Sequence, residues 1–347
     1  MKLSEYKYQL PKNSIAKFPA DPRDSAKMLV LEKDTGEIRD LQFTDVIDFF
    51  QKGDCLVLNE TMVFPARLYG KKEKTNAQIE VMLLRELNSE DKIWDVLVEP
   101  ARKVRIGNKI YFDDGRFYCE VVDNTTSRGR TVRFSYDDDL FKIIKRIGEM
   151  PLPEYIKRSP NEHDKETYQT IFANENYLSS IAPPKTSLHF SQEVLDALED
   201  KGVRIAKINL NIGQGIFENI EVEDITKHKM YSELFEISSE ASETINKTLK
   251  AKKNVYAGGS SVVRALESSV MTTGMVKPNK GWTDKYIYPL YDFRVVHRLI
   301  TNFQEPASPQ LLISASFAGR KNIFNAYKHA IKNNYKFLAY GDAVLII

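Results

Sequence analysis

The sequence predicts an α/β main domain with an inserted antiparallel β-barrel-like domain, and three features of the chain carry that expectation. Strand and helix patterns alternate in both the first 62 residues and the second half. Between Val63 and about Phe134 the texture changes to short, mostly alternating strands separated by polar turns, with no convincing helix between them. The proline-rich stretch Glu149-Met-Pro-Leu-Pro153 then precedes a return to the first texture. Residues 1–62 and 149–347 are therefore expected to form the α/β domain with the ligand and catalytic site, and residues 63–148 the insert.

In order along the chain, Met28-Leu-Val-Leu31, the turn Lys33-Asp-Thr-Gly36 and Glu37-Ile38 read as a hairpin, followed by a helix from Phe43 to Phe50 and the strand Cys55-Leu-Val-Leu58. Ala66–Tyr69, Ile79–Leu84, Ile93–Val98, Lys109–Phe112, Phe117–Val122 and Thr131–Phe134 supply the strands of the insert. A short helix, Asp139–Lys145, leads out of it, and the prolines that follow disfavour helix, so an extended link is expected. Ser191 has the hydroxyl of an N-cap for a helix running to Asp200, with Gly202 ending it and Val203–Leu210 as the next strand. Ser239–Ala251 repeats the helical pattern, before the strand Asn254–Ala257 and a helix from about Ser261.

Composition narrows the class. At 347 residues and 42% apolar content, the chain can bury the cores of two ordinary domains. No apolar run reaches the roughly 20 residues of a membrane helix, and the N-terminus lacks the apolar stretch of a signal peptide. A cytosolic protein without a membrane partner is expected. Cys55 and Cys119 lie far apart in strands and lack metal-ligand or redox spacing, so both are expected as reduced core residues. A net charge of +2 neither demands nor excludes a nucleic-acid partner. Basic residues do cluster, at Arg102 and Arg105, at Arg128, Arg130 and Arg133, and at Lys142, Lys145 and Arg146, where they could meet phosphates or simply be solvated.

Several motifs could carry chemistry. Val255-Tyr-Ala-Gly-Gly-Ser-Ser-Val-Val-Arg-Ala-Leu-Glu267 has the grammar of strand, tight glycine turn and helix, so Gly259, Ser260 and Ser261 could present free N–H groups to an anion. Arg264 and Glu267 are three apart on that helix and could hold the two ends of a zwitterion. A plain strand-to-helix connection fits the same residues. Gly213 and Gly215 lie in a second loop after a strand, one that fails the dinucleotide and P-loop patterns. His189 stands just before a capped helix and His228 in a polar run, each compatible with a structural hydrogen bond, and neither has metal-ligand spacing. Trp282, Tyr286, Tyr288, Tyr291 and Phe293 could stack on a nucleobase, although the alternation of Tyr286 and Tyr288 also suits one face of a strand. Trp282 and Asp284 are the better functional candidates of that run. No Gly-x-Ser-x-Gly elbow supports a serine hydrolase.

Taken together, Gly148-Glu-Met-Pro-Leu-Pro-Glu-Tyr-Ile-Lys-Arg158, Ile181-Ala-Pro-Pro-Lys-Thr-Ser-Leu-His-Phe190, Gly281-Trp-Thr-Asp284, Phe293-Arg-Val-Val296, Thr301-Asn-Phe303 and Tyr340-Gly-Asp-Ala343 resemble, in order and over nearly the whole chain, the S-adenosylmethionine:tRNA ribosyltransferase-isomerase family of queuosine biosynthesis. The resemblance implies an enzyme with S-adenosylmethionine as cosubstrate and no metal, acting on tRNA with a modified wobble guanine. The ribosyl unit passes to the aminomethyl group of 7-aminomethyl-7-deazaguanine and rearranges to give epoxyqueuosine, and adenine and methionine leave. It implies His189, Glu267 and Asp284 as catalytic and Gly213, Gly215, Gly259, Ser260, Ser261, Arg264 and Trp282 as cosubstrate-binding, while the basic clusters and the extra cation supply Arg102, Arg128, Arg130, Arg133 and Lys185 as tRNA-binding candidates. A monomer is expected.

Some positions depart from the family pattern. Asn211 and Gln304 stand where the family has histidines, replacing imidazoles with amides that do not exchange protons near neutral pH. Lys185 stands where a threonine is usual, and Ser187 where a glycine is usual. A second reading therefore stays open at this level: a divergent paralogue that binds tRNA or an adenosyl ligand with lost or altered catalysis.

Overall fold

The computed structural model describes residues 1–113, 115–137, 139–216 and 219–347. The first segment supplies β1 (Lys27–Leu31), β2 (Ile38–Gln42), a tight 3-10 helix over Phe43–Phe49, and β3 (Cys55–Asn59). A two-residue strand β4 (Met62–Val63) leads into β5 (Arg67–Lys72), β6 (Gln78–Asn88), β7 (Ile93–Glu99), β8 (Lys109–Phe112), β9 (Phe117–Asn124) and β10 (Gly129–Ser135). Helices α1 (Leu140–Ile147) and α2 (Asp164–Thr167) and strand β11 (Leu178–Ser180) carry the chain back. The remainder is α3 (Gln192–Asp200), β12 (Arg204–Leu210), β13 (Glu233–Ile237), α4 (Ser239–Lys250), β14 (Val255–Gly258), α5 (Ser260–Ser269), β15 (Asn279–Thr283), β16 (Arg298–Asn302), α6 (Pro309–Ala318), α7 (Arg320–Lys332) and β17 (Ala343–Ile346).

Nine strands form one mixed sheet in the order β15-β13-β12-β3-β14-β16-β17-β1-β2. Its centre is parallel: β12 and β14 flank β3, and β16 continues beyond β14 in the same sense. The strands at that centre are apolar on both faces, as burial on both sides requires. In β3, Cys55 and Val57 pack on one side with the layer containing Ile245, Val262 and Leu312, while Leu56 and Leu58 pack on the other with Phe43, Phe190 and Val194. The period-2 alternation of a strand separates two cores on one backbone.

The insert closes on itself as an antiparallel barrel, β10-β7-β6-β5-β8-β9, as the change of sequence texture led us to expect. Inward positions such as Leu68, Ile79, Val81, Val96, Ile110, Cys119 and Val132 alternate with outward ones and make its core. Gly70 sits at the closing seam between β5 and β8. A Cβ there would lie 2.6 Å from the Ile110 side chain and 2.8 Å from the Phe112 ring, so a larger residue would force these core side chains to shift. Both cysteines are buried and unpaired.

The capped helices form where their polar starts indicate. Ser191 Oγ accepts the Val194 N–H at 3.3 Å, and Ser238 Oγ accepts the Ala241 N–H at 3.1 Å. The expectation of a strand through Tyr286 and Tyr288 is corrected, because β15 ends at Thr283 and residues 284–288 are irregular. The Arg264 guanidinium, rather than a neighbouring strand, takes the carbonyls of Thr283 and Lys285. Sequence patterns also missed β13, β15, β16, β17, α6 and α7. Of these, α6 is apolar nearly all round, which is the signature of a helix buried on every side.

Candidate active site

The four parallel strands at the sheet centre end along one edge, the position where open α/β sheets hold ligands. Asn59, at the end of β3, binds the ends of its neighbours together. Its Nδ2 donates to the Leu210 carbonyl at 2.9 Å and to Ser261 Oγ at 3.2 Å, and its Oδ1 accepts the Leu210 N–H at 3.0 Å. After β14, Gly259 adopts φ +109°, a conformation nearly closed to other residues, and starts α5 so that Ser260 and Ser261 face the edge. Thr186 Oγ1 donates to Asn302 Oδ1 at 2.8 Å, and Ser187 Oγ donates to the Gly258 carbonyl at 3.3 Å, which fixes the segment containing Lys185 against the same edge.

These elements surround a narrow cleft of about 60 Å³, lined among others by Lys185, Gly215, Glu233, Ser260, Ser261, Arg264, Asn302 and Gln304. Glu233 was not singled out from sequence and proves central. Its Oε1 accepts the Gly213 N–H at 2.9 Å, its Oε2 accepts from Arg264 Nη1, and both charged side chains are buried. Nothing in the spacing of residues 233 and 264 announces the pair; it exists because β13 and α5 lie beside each other. Arg264 also donates to the carbonyls of Lys285 at 3.0 Å and Thr283 at 3.2 Å.

Arg264 and Glu267 do not line the same cleft. Glu267 is buried away from the cleft, accepting the backbone N–H groups of Arg294 at 3.2 Å, Val295 at 3.1 Å and Val296 at 3.3 Å and the Tyr291 hydroxyl at 3.2 Å. Its carboxylate anchors the loop before β16. His189 is also buried, behind Asn302: its Nε2 lies 3.5 Å from Asn302 Nδ2 and its Nδ1 lies 3.4 Å from the Arg23 carbonyl. Burial lowers its pKa to about 4, so the imidazole is neutral at physiological pH and donates no proton from a charged form. Asp284 is exposed and outside the narrow cleft. Asp342 accepts the Lys27 and Lys336 N–H groups and acts as a structural tie.

Lys185 lines both the narrow cleft and a third cleft between barrel and sheet, of about 350 Å³, that Arg128 also lines. Desolvation lowers its ammonium pKa, with Glu305 pulling the other way, and the Tyr155 ring lies 5.8 Å away. Of the barrel arginines, Arg102, Arg128 and Arg133 are exposed. Arg130 is corrected: it is buried, and its guanidinium donates to the carbonyls of Ala101 at 3.0 Å, Val104 at 3.1 Å and Gly129 at 2.7 Å, stapling barrel loops instead of facing phosphate.

Trp282 is separated from the narrow cleft. It is 58% exposed and lines a wider cleft of about 470 Å³ between barrel and sheet. Gly213 and Asn211 line this second space, while Gly215 lines the first, and Glu233 contributes to the walls of both.

A ligand cleft at the carboxyl ends of parallel strands, walled by glycine loops and a helix start and flanked by an inserted barrel, defines a two-part α/β enzyme architecture. The chain belongs to the queuosine biosynthesis protein family, whose model matches residues 3–346. It is 52% identical over 349 residues to the S-adenosylmethionine:tRNA ribosyltransferase-isomerase of Chloroherpeton thalassium, covering 100% of both chains. It is also 52% identical to the protein of the same name from Cytophaga hutchinsonii, again over 100% of both. The crystal structure of S-adenosylmethionine tRNA ribosyltransferase from Thermotoga maritima is 28% identical and matches with a TM-score of 0.55 over 99% of this chain and 100% of that one.

Proposed function

We propose that this chain is an S-adenosylmethionine:tRNA ribosyltransferase-isomerase. It transfers and isomerises the ribosyl moiety of S-adenosylmethionine onto 7-aminomethyl-7-deazaguanine in the tRNA anticodon, giving epoxyqueuosine and releasing adenine and methionine. The observation that carries this reading is 52% identity, along the whole of both chains, to relatives bearing that name. The divergent-paralogue reading has no comparable support. Asn211 and Gln304 are built into ordinary networks, with Asn211 Oδ1 accepting from Asn209 at 2.8 Å and Gln304 Nε2 donating to Thr301 at 3.0 Å.

In this reading the cosubstrate lies at the start of α5, where the free N–H groups of Ser260 and Ser261 favour its carboxylate. Gly215 and Ile216 line the same cleft as Ser260. Proton removal and leaving-group protonation need groups that titrate in reach of the ligand. Lys185 meets that requirement better than His189, since it lines the cleft and burial has lowered its ammonium. Residues 63–148 form the inserted domain that meets tRNA, with the exposed Arg102, Arg128 and Arg133 set against its phosphates. The cytoplasm is the place of action; no helix among the described residues is long and apolar enough to cross a membrane.

The experiment is adenine release from S-adenosylmethionine in the presence of tRNA bearing the aminomethyl-deazaguanine, with the tRNA mass read in parallel. Adenine release with the added epoxycyclopentane is the expected result; tRNA binding without either product refutes the assignment.

A further inference from the structure

The lining of the wider cleft between barrel and sheet does not include the start of α5, and it gathers an unusual set of side chains. The chain has two tryptophans, and both line this space. Trp94 comes from the barrel, standing edge-on to Phe64 at 6.2 Å and to Phe141 at 6.4 Å. Trp282 comes from β15, at the rim of the nine-stranded sheet, and leaves 58% of its surface to solvent. The Arg85 guanidinium lies 5.7 Å from the Trp282 ring while donating to Asp95 at 3.0 Å, so barrel and sheet meet across an aromatic face. Isolated exposed aromatics are common on protein surfaces. An exposed indole beside an apolar cavity of about 470 Å³, with an arginine alongside, is a stacking platform.

The polar groups of the cleft are placed at its edge. Trp94 Nε1 is buried, and the Glu86 carboxyl is close enough to feel it without a well-formed hydrogen bond. Glu86 lies across the strand pair from Trp94, and burial raises its carboxyl above the ordinary value against a weaker opposing influence of that indole. A buried indole donor held only loosely by a neighbouring carboxyl can offer an edge to a partner that both donates and accepts. A flat ring with apolar faces and hydrogen-bonding edges satisfies the whole set.

We propose that this cleft receives an unpaired base of the RNA substrate, extruded from its loop and stacked on Trp282. The assignment rests on tRNA being the substrate, and it is separate from the cosubstrate position at α5. Single-stranded RNA bases are recognised in this way, by stacking on aromatic or arginine planes with hydrogen bonds at their edges. The base can be the acceptor itself or a neighbour in the same loop. Adenine of the cosubstrate is the competing occupant with the same chemistry.

Because both tryptophans line the cleft, intrinsic fluorescence reports on it directly. Wild-type protein is titrated with an unmodified anticodon stem-loop RNA, with S-adenosylmethionine alone, and with stem-loops carrying single abasic sites in the loop. Filter binding measures RNA affinity separately and thus tests the substrate assignment on its own. The expected result is quenching by the intact stem-loop, loss of that quenching with one particular abasic site, and about tenfold weaker RNA binding by Trp282→Ala, with Trp282→Phe recovering most of it. An abasic site at the wobble position having this effect identifies the acceptor base, and one elsewhere a neighbour. Since Trp282 is mostly exposed, its variants should melt as the wild type does. RNA bound with no quenching, equal RNA affinity of Trp282→Ala, or equal quenching by S-adenosylmethionine alone would each overturn the proposal.

Discussion

The two clefts that share Glu233 are built on opposite plans. The narrow one, of about 60 Å³, is walled by buried polar side chains that already satisfy one another, Glu233 with Arg264 and Gly213, and Asn302 with Thr186. The wide one, of about 470 Å³, is walled by aromatic rings and by exposed charged groups from two separate structural units. The difference teaches where rigidity and adaptability reside. Buried, mutually bonded polar groups are costly to disturb and hold one geometry, whereas the exposed Trp282 ring and the exposed Arg85 ion pair contribute little to folding and remain available to a partner.

The largest effect is expected at the shared wall. Glu233→Ala strands the buried Arg264 charge and should lower stability by about 3–5 kcal/mol in urea denaturation. Replacing both partners, as Glu233→Leu with Arg264→Met, should recover most of that loss; if the single and double variants are equally unstable, the pair is not what holds this wall.

Behind the same cleft, the pH response of His189 tests how tightly that side is sealed. Burial depresses its folded pKa to about 4, from 6.5 in the unfolded chain. Below pH 6.5 the unfolded chain binds a proton that the folded protein does not, so this contribution to stability is complete above 6.5. It is lost as pH falls from 6.5 towards 4, up to about 3 kcal/mol for this one group. His189→Gln should flatten the stability profile across that window, and an unchanged profile would mean that the imidazole is more open to water than its packing indicates.

A smaller effect is expected at the start of α5. In Gly259→Ala the new Cβ meets nothing nearer than Thr186 Oγ1 at 3.7 Å, so the penalty is backbone strain and not collision. It should cost about 1–3 kcal/mol, and calorimetry should show weaker S-adenosylmethionine binding as the helix start shifts. Retained affinity would move the cosubstrate away from Ser260.

The smallest belongs to the wide cleft. Arg85→Ala removes an exposed ion pair and a cation–π contact, and its melting curve should change by less than about 1 kcal/mol. A larger loss would mean that the barrel is held to the sheet through this contact, and that the two clefts differ less than their walls suggest.

What could be read from residue order follows from local physics. The barrel strands were visible because alternation is a property of neighbouring residues, and the capped helices because Ser191 marks its own helix start. The parts that stayed hidden are those whose cause is distant in the chain. β17 (Ala343–Ile346) is a short apolar run that resembles any other until it pairs with β1 and β16. Arg264 and Glu267 share a helix spacing, but their partners come from β13 and from the loop before β16, which divides them between two tasks. Arg130 looked like its neighbours Arg128 and Arg133 in a basic run, yet alternation on β10 turns it inward among loop carbonyls.

By itself, then, the sequence determined the α/β texture, the inserted barrel, the helix caps and the family, because periodicity, turn chemistry and motif order are all written between near neighbours. Tertiary structure alone decided which charged groups are already paired, that His189 is buried and neutral, and that Trp282 faces a second cleft. Those outcomes depend on which strands lie side by side, and hence on desolvation and distance, quantities that no linear spacing contains.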